Sequence, residues 1–253
     1  MNSVPQRQNK LMRFLHRLAS PKYFYDLAGT LTPWLGWPAL LLALVALYGG
    51  LAITPPDYQQ GDSVRIIYVH VPAAWMSLFI YIFMFVNAVI SLIWRIKLSD
   101  IIVQCSAPIG AAFTFLALFT GAMWGKPMWG AYWVWDARLT SEAVLLFLYA
   151  GIIALNLALD DKRMAARATG ILIIVGVVNI PIIHYSVEWW STLHQGPTIT
   201  KLDKPSITMD MLWPLLVMMA AFKLYFFANL LMRARLELLR REKHSQWVND
   251  LLG

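Results

Sequence analysis

The chain has 253 residues, of which 59% are hydrophobic and only 14% charged, and its formal net charge is +7 at pH 7. Soluble domains average about 25% charged residues, so this composition excludes an ordinary soluble protein and indicates an integral membrane protein. The single cysteine, Cys105, lies in an apolar stretch, which excludes a disulfide framework and a Cys-x-x-Cys redox pair. No nucleic-acid-binding motif is present, so we attribute the basic charge to contact with acidic lipid headgroups and expect no nucleic-acid partner.

Apolar stretches of about 20 residues, the length that crosses a bilayer as an α-helix, occur six times. They predict an all-α integral membrane protein with six transmembrane helices at about residues 34–53, 70–94, 101–123, 141–159, 168–187 and 211–231. Residues 1–33 are predicted to form a cytoplasmic amphipathic N-terminal arm, because basic and apolar residues alternate there at helical spacing. Residues 34–232 then form the transmembrane domain, and residues 233–253 form a basic cytoplasmic tail.

The distribution of lysine and arginine predicts the orientation of the chain. With the N-terminus inside, the cytoplasmic loops and ends hold fifteen of these residues and the opposite side holds five. Loops that stay in the cytoplasm are enriched in basic residues, so both termini are predicted to be cytoplasmic. The segment between spans three and four therefore faces outward.

That segment, residues 124–140, is rich in tryptophan. Four of the twelve tryptophans fall within residues 124–135, and they are Trp124, Trp129, Trp133 and Trp135. Tryptophan collects at the membrane boundary of any membrane protein, so an aromatic belt is the alternative interpretation. The segment also contains glycine and proline, and the charged residues Asp136 and Arg138 follow the last tryptophan. These features favour an apolar binding surface for a flat ligand over a simple aromatic belt.

The histidines suggest which ligand. His70 opens span two and His184 lies near the end of span five, so both are expected at the outer boundary beside the tryptophan segment, whereas His194 falls in a polar loop and is expected to be solvated. A single boundary histidine is more often a hydrogen-bonded structural residue. Two imidazoles beside an aromatic platform, however, are what a six-coordinate haem iron needs. Glu188, one helical turn after His184, is placed to accept a hydrogen bond from its other ring nitrogen.

Haem also carries propionates, which need positive charge nearby. Three basic residues are predicted on the outward side close to the tryptophan segment, namely Arg65, Lys126 and Arg138. They are the candidates to hold the propionates.

The sequence of residues 124–141, WGKPMWGAYWVWDARLTS, resembles the tryptophan-rich "WWD" signature of haem-handling membrane proteins. It is most similar to the CcmC family of cytochrome c maturation, and the similarity continues in RIIYVHVPAAW at residues 65–75 and in IPIIHYSVEWWSTLHQG at residues 180–196. The resemblance implies a haem-handling domain at residues 34–232. It implies b-type haem bound transiently by the axial ligands His70 and His184. The platform and chaperone-docking surface would consist of Trp124, Trp129, Trp133, Trp135, Asp136 and Arg138.

The resemblance also implies location and partners. Family members present haem at the periplasmic face of the bacterial inner membrane and pass it to the haem chaperone CcmE. They act in an ABC-type exporter complex with the ATPase subunit CcmA, the permease subunit CcmB and the small subunit CcmD. The sequence has no Gly-x-x-x-x-Gly-Lys-Ser/Thr motif, so we expect a transfer protein and not an enzyme.

Two other classes of protein remain open from the residues. One is a cytochrome b-type electron-transfer subunit, which would keep its bis-histidine haem permanently. Such subunits hold haem between helices inside the bilayer, whereas the two predicted ligands lie at its edge. The other is a purely structural permease-like scaffold, which would be colourless and indifferent to loss of either histidine.

Overall fold

A computed structural model describes residues 20–190, 192–194, 196 and 206–252. Its α-helices are α1 (Pro21–Tyr48), α2 (Ile67–Trp94), α3 (Lys97–Trp129), α4 (Ala137–Ala158), α5 (Lys162–Gly176), α6 (Asn179–Trp189), α7 (Met209–Arg241) and α8 (Gln246–Leu252). A short π-helix (Gly49–Ile53) continues α1, and a 3-10 helix (Asp62–Ile66) precedes α2. The described residues form no β-strand, only an isolated bridge between Asp57 and Gly61. The predicted all-α fold is therefore confirmed.

Among the described residues, six helical segments are long and apolar enough to cross a membrane; they lie at Pro21–Ile53, Asp62–Trp94, Lys97–Trp129, Ala137–Ala158, Lys162–Trp189 and Met209–Arg241. The predicted number of spans is confirmed. The fifth consists of two helices, α5 and α6, because helical bonding is interrupted at residues 177–178. Helix α1 begins earlier than the first predicted span, and helix α7 ends later than the sixth. Part of the predicted arm and part of the predicted tail are therefore helical. Residues 1–19 of that arm lie outside the described part.

The centre of the bundle is α2, which packs against α3, α5 and α7, while α1 lies along α7. Apolar side chains fill the centre; Met76, Ile80 and Met84 of α2 and Leu145 of α4 are fully buried. Tyr81 of α2 and Tyr149 of α4 meet edge to face in this core. Burial of such large side chains is a main source of stability for packing between spans.

A buried polar contact joins α2 to α4 inside the bundle. Ser77 of α2 and Glu142 of α4 are both buried, and the hydroxyl oxygen of Ser77 lies 2.7 Å from Oε1 of Glu142. Tyr149 donates a hydrogen bond to the backbone carbonyl of Ser77 at 2.8 Å. A polar contact between spans fixes how the two helices align, because an unpaired polar group costs free energy in an apolar interior.

The connection from α3 to α4 is short and has defined ends. Gly130 ends α3 in the left-handed conformation, with φ 77°, and its N–H donates to the carbonyl of Lys126 at 3.1 Å. A glycine is the favoured residue at this position because it has no Cβ. Asp136 begins α4 as its N-cap, since its carboxylate accepts the N–H of Leu139. Only residues 130–136 of the tryptophan segment are therefore loop.

Candidate functional site

The tryptophan segment divides into two parts. Trp124 and Trp129 lie in the last two turns of α3, and the indole N–H of Trp124 donates to Oε1 of Gln60 at 3.0 Å. Trp133 and Trp135 lie in the loop, where their rings meet edge to face at a centroid distance of 5.4 Å, and Trp135 is 83% exposed. The four rings thus form a helical pair and a loop pair.

His70 lies against the end of α3 beside Trp124. Its Nδ1 is 3.0 Å from the backbone carbonyl oxygen of Ala117 and 3.1 Å from the hydroxyl of Thr120. A carbonyl oxygen only accepts hydrogen bonds, so Nδ1 carries the proton and Nε2 keeps a free lone pair. The Trp124 ring approaches edge-on at a centroid distance of 5.7 Å. His70 is therefore held in the tautomer and position suited to ligating a metal through Nε2.

A glycine makes room for this histidine. Gly121 faces the His70 ring so closely that a Cβ at this position would lie 2.9 Å from Cε1 of His70. Contacts under about 3.0 Å between such carbon atoms require a shift of one partner. Gly121 therefore sets how deeply His70 sits against α3.

His194 belongs to the same site, and the expectation that it is solvated is wrong. Its Nδ1 lies 3.0 Å from Oδ2 of Asp136, its side chain is only 17% exposed, and its ring meets that of Trp129 edge-on at 4.9 Å. It is also close enough to His70 for the charges of the two rings to interact. Burial lowers the pKa of His194, although the hydrogen bond to Asp136 raises it in part. The ring is thus favoured in its neutral form with Nδ1 protonated and Nε2 free.

Asp136 contacts both the start of α4 and His194. One carboxylate oxygen, Oδ1, accepts the N–H of Leu139 at 2.7 Å and caps α4, while Oδ2 faces His194. The polar loop that contains His194 offered no helical pattern from which this contact could be predicted. The only available signal was the short spacing between His194 and the tryptophans that precede it.

The backbone of His184 contacts the tryptophan segment through Arg138, but its ring does not contact that segment among the described residues. His184 is exposed on α6, and its ring meets that of Tyr185 at 4.7 Å. Within the same residues, Glu188 makes no hydrogen bond to it. The ligand role of His184 stays a prediction.

The three basic residues expected near the propionates have structural partners. Arg65 donates to the carbonyls of Gly50 and Leu51 and pairs with Asp62. Lys126 donates to the carbonyl of Gly130 and lies over the Tyr132 ring.

Arg138 ties the start of α4 to α6. It donates to the hydroxyl of Ser186 at 3.1 Å and to the backbone carbonyls of Ile183 and His184 at 3.4 and 3.2 Å. It therefore holds the backbone at His184 without touching the ring. All three cations already hold backbone in place, so a ligand carboxylate would share them.

One buried donor of the tryptophan segment, and another two residues before His194, have no partner among the described residues. They are the indole N–H of Trp133 and the hydroxyl of Thr192. Buried donors are normally hydrogen-bonded, so an unpaired one requires an explanation. An anionic group bound beside the loop pair would satisfy the indole N–H of Trp133.

The sequence matches the family described as "CcmC: Heme exporter protein C" over residues 14–249. The chain belongs to the CcmC family. The heme exporter protein C of Haemophilus influenzae is 50% identical over 95% of this chain and 98% of its own length, and that of Escherichia coli K12 is 52% identical over 96% and 98%. A putative cytochrome c biosynthesis ccmC-like mitochondrial protein of Marchantia polymorpha is 47% identical over 72% of this chain and 76% of its own length. The resemblance of the sequence to CcmC is thus confirmed along nearly the whole chain.

Proposed function

We propose that this CcmC-family chain binds haem at the outer membrane boundary and passes it on for cytochrome c maturation. The names of its relatives, heme exporter protein C, support haem as the cargo. The observation that carries the proposal is the pair of histidines whose second ring nitrogens are each held by an acceptor, Ala117 for His70 and Asp136 for His194. Second partners of this kind orient imidazoles that ligate metals.

We further propose that His70 and His194 are the axial ligands. Both are predicted by their hydrogen bonds to present an unprotonated Nε2, and both lie against tryptophans of α3. His184 was the second ligand expected from the sequence, but its exposed ring on α6 has no comparable partner among the described residues. The geometry therefore favours His194, and the experiment below includes all three histidines.

The rest of the site suits a porphyrin. Trp124 and Trp129 supply apolar area next to the histidines, and the unpaired indole N–H of Trp133 is available to a propionate. The only cysteine, Cys105, is buried, so the haem is b-type and held without a covalent bond. Haem is the cargo of this site and leaves it.

We propose the partners that the family resemblance implies. The recipient is the haem chaperone CcmE, and the chain acts in the inner membrane with the ATPase CcmA, the permease CcmB and the small subunit CcmD. The chain itself is a transfer protein and not an enzyme, and ATP hydrolysis belongs to the partner subunit. The exposed Trp135 at the tip of the loop pair is the surface offered to the chaperone.

The experiment is a visible spectrum of the detergent-purified protein and of its alanine variants. We expect about one haem per chain with two nitrogen ligands, lost or weakened in His70→Ala and His194→Ala. His184→Ala is the matched control and should keep the parent spectrum. Imidazole added to His70→Gly or His194→Gly should restore the spectrum, because it refills the vacated ligand position.

The spectra of the three histidine variants distinguish the possible haem ligands. Loss of haem in His184→Ala with retention in His194→Ala would return the ligand role to His184. Parent-like spectra in all three variants would reject histidine ligation altogether. Haem that stays on the purified chain in the presence of apo-chaperone would instead indicate a cytochrome b-type electron-transfer subunit.

A further inference from the structure

A cavity lies away from the histidines, between α1, α3 and α7. It has a volume of about 500 Å³ and its lining shares no residue with the site described above. Small side chains open it, among them Gly36 and Ala39 of α1, Ala112 of α3 and Ala221 of α7. A space of this size is within the range that holds a small organic ligand.

One end of this groove is polar. Arg233 and Asn229 line it on α7, and Asn229 donates to the hydroxyl of Tyr225 at 3.0 Å. Arg233 is exposed and, within the described part of the chain, forms neither an ion pair nor a hydrogen bond. Its neighbours differ, since Arg235 lies 4.3 Å from the Tyr25 ring centre and Arg241 pairs with Glu237. The groove thus ends at a cation that is available to an outside anion.

The length of the groove corresponds to one leaflet. On α7 its lining extends from Ala221 to Arg233, twelve residues apart, or about 18 Å along a helix that rises 1.5 Å per residue. Half of a typical hydrocarbon core measures about 15 Å. An acyl chain that starts at a charged headgroup beside Arg233 and follows the groove would therefore reach about the middle of the bilayer.

We propose that this groove binds an anionic phospholipid, with its phosphate at Arg233 and one acyl chain between α1, α3 and α7. The lining is apolar apart from Tyr225 and the polar end, which suits a hydrocarbon chain. It contains no histidine, cysteine or methionine, so it offers none of these ligands to a haem iron. Charge complementarity at one end and apolar lining along the rest select a lipid with a negative headgroup.

The first test compares two lipids on the full-length purified protein. The chain is placed in nanodiscs that contain equal amounts of phosphatidylglycerol and phosphatidylcholine, then extracted, and the lipids retained per chain are counted by native mass spectrometry. We expect phosphatidylglycerol to be retained preferentially. Arg233→Gln should reduce that preference about fivefold, the change that corresponds to the ~1 kcal/mol typical of one basic residue near a membrane surface.

The matched control is Arg163→Gln, which removes the same charge from an exposed residue that does not line the groove. It should retain lipid as the parent does. Equal retention of the two lipids by the parent, or an equal loss in both glutamine variants, would overturn the proposal, because retention would then reflect overall charge.

A second variant tests the apolar part. Ala112 is exposed into the groove, so Ala112→Trp fills it without displacing the bundle core, and circular dichroism checks that the helices remain. The retained lipid should be lost. Retention of lipid by Ala112→Trp at the parent level would place the lipid elsewhere on the surface. If the groove instead holds a helix of a partner subunit, the parent would retain no lipid, and Ala112→Trp would co-purify with less of that subunit.

Discussion

Asp136 makes two different contacts with its two carboxylate oxygens: Oδ1 accepts the N–H of Leu139 at 2.7 Å, and Oδ2 lies 3.0 Å from Nδ1 of His194. The first contact caps α4 and the second fixes a histidine of the candidate haem site. Asparagine can replace only one of them, because its side chain has one oxygen and one NH₂ group.

We therefore expect Asp136→Asn to keep the fold and lose haem. The asparagine oxygen caps α4, and its NH₂ group then faces Nδ1 of His194, which moves the ring proton to Nε2 and blocks ligation. Asp136→Ala should lose haem and also about 1 kcal/mol of stability through the missing cap. Haem absorbance per chain and thermal unfolding report the two effects. The control is Asp161→Asn, at the N-cap of α5, and parent-like haem binding by Asp136→Asn would contradict the prediction.

Gly121→Ala should disturb His70 without breaking α3. Alanine is the better helix former by about 1 kcal/mol, so helix propensity alone favours the variant. Its Cβ, however, would lie 2.9 Å from Cε1 of His70 and push the ring away from the carbonyl of Ala117. We expect an altered haem spectrum with unchanged helix content. Gly151→Ala, whose Cβ would meet only the flexible Leu172 side chain at 3.3 Å, should match the parent in both measurements.

Substitutions in the two pairs of tryptophans should affect haem binding and haem transfer differently. Trp129→Ala removes the ring that packs against His194, so haem binding itself should weaken. Trp135→Ala removes a ring that is 83% exposed, so haem should stay bound while transfer to the chaperone falls. The measurement is haem on the chaperone against haem on this chain for each variant. A parallel loss of both quantities in Trp135→Ala would show that the exposed ring also holds haem.

Glu142 should carry a proton inside the bundle. Ser77 has one hydroxyl hydrogen, and its oxygen lies 2.7 Å both from the carbonyl of Ala74 and from Oε1 of Glu142. If the hydroxyl donates to the carbonyl, the second bond needs a hydrogen from Glu142. An infrared spectrum should show a protonated carboxyl band that disappears in Glu142→Gln, while thermal stability stays close to the parent. No difference between the two spectra would mean that the carboxyl is ionised. Glu188→Gln, at an exposed position, is the control.

The orientation can be tested by labelling with an impermeant thiol reagent on intact cells. The native Cys105 is buried and should not react. Cysteine at Tyr58, which is 90% exposed, should be labelled from outside, and cysteine at Met164, which is 55% exposed, should not. Outside labelling at Met164 would reverse the predicted topology.

The sequence was sufficient to predict the helices but not the partners of the histidines. The six spans are set by continuous apolar stretches, and their number is confirmed. Their limits differ most where polar residues continue a helix, as in α7, which ends at Arg241 and not near residue 231. Hydropathy locates where a helix is apolar, whereas helical hydrogen bonding continues into water.

The sequence predicts different environments for His184 and His194. It favours His184 as a ligand because this residue lies on a predicted span, and it predicts a solvated His194 because the surrounding loop is polar. The structure pairs His194 with Asp136, 58 positions earlier in the chain, and no local pattern encodes that contact. His70 was recognised by its place at the start of span two, but its support by Ala117 and Gly121 depends on how α2 packs against α3.

The order of these residues along the chain has a consequence for biogenesis. His70 lies in the second span, Asp136 at the start of the fourth, and His194 follows the fifth. A chain that is still leaving the ribosome has inserted five of its six spans before the second imidazole reaches its carboxylate. A chain that ends before residue 194 therefore carries only one of the two proposed haem ligands, so haem capture by this pair would require synthesis through the first five spans.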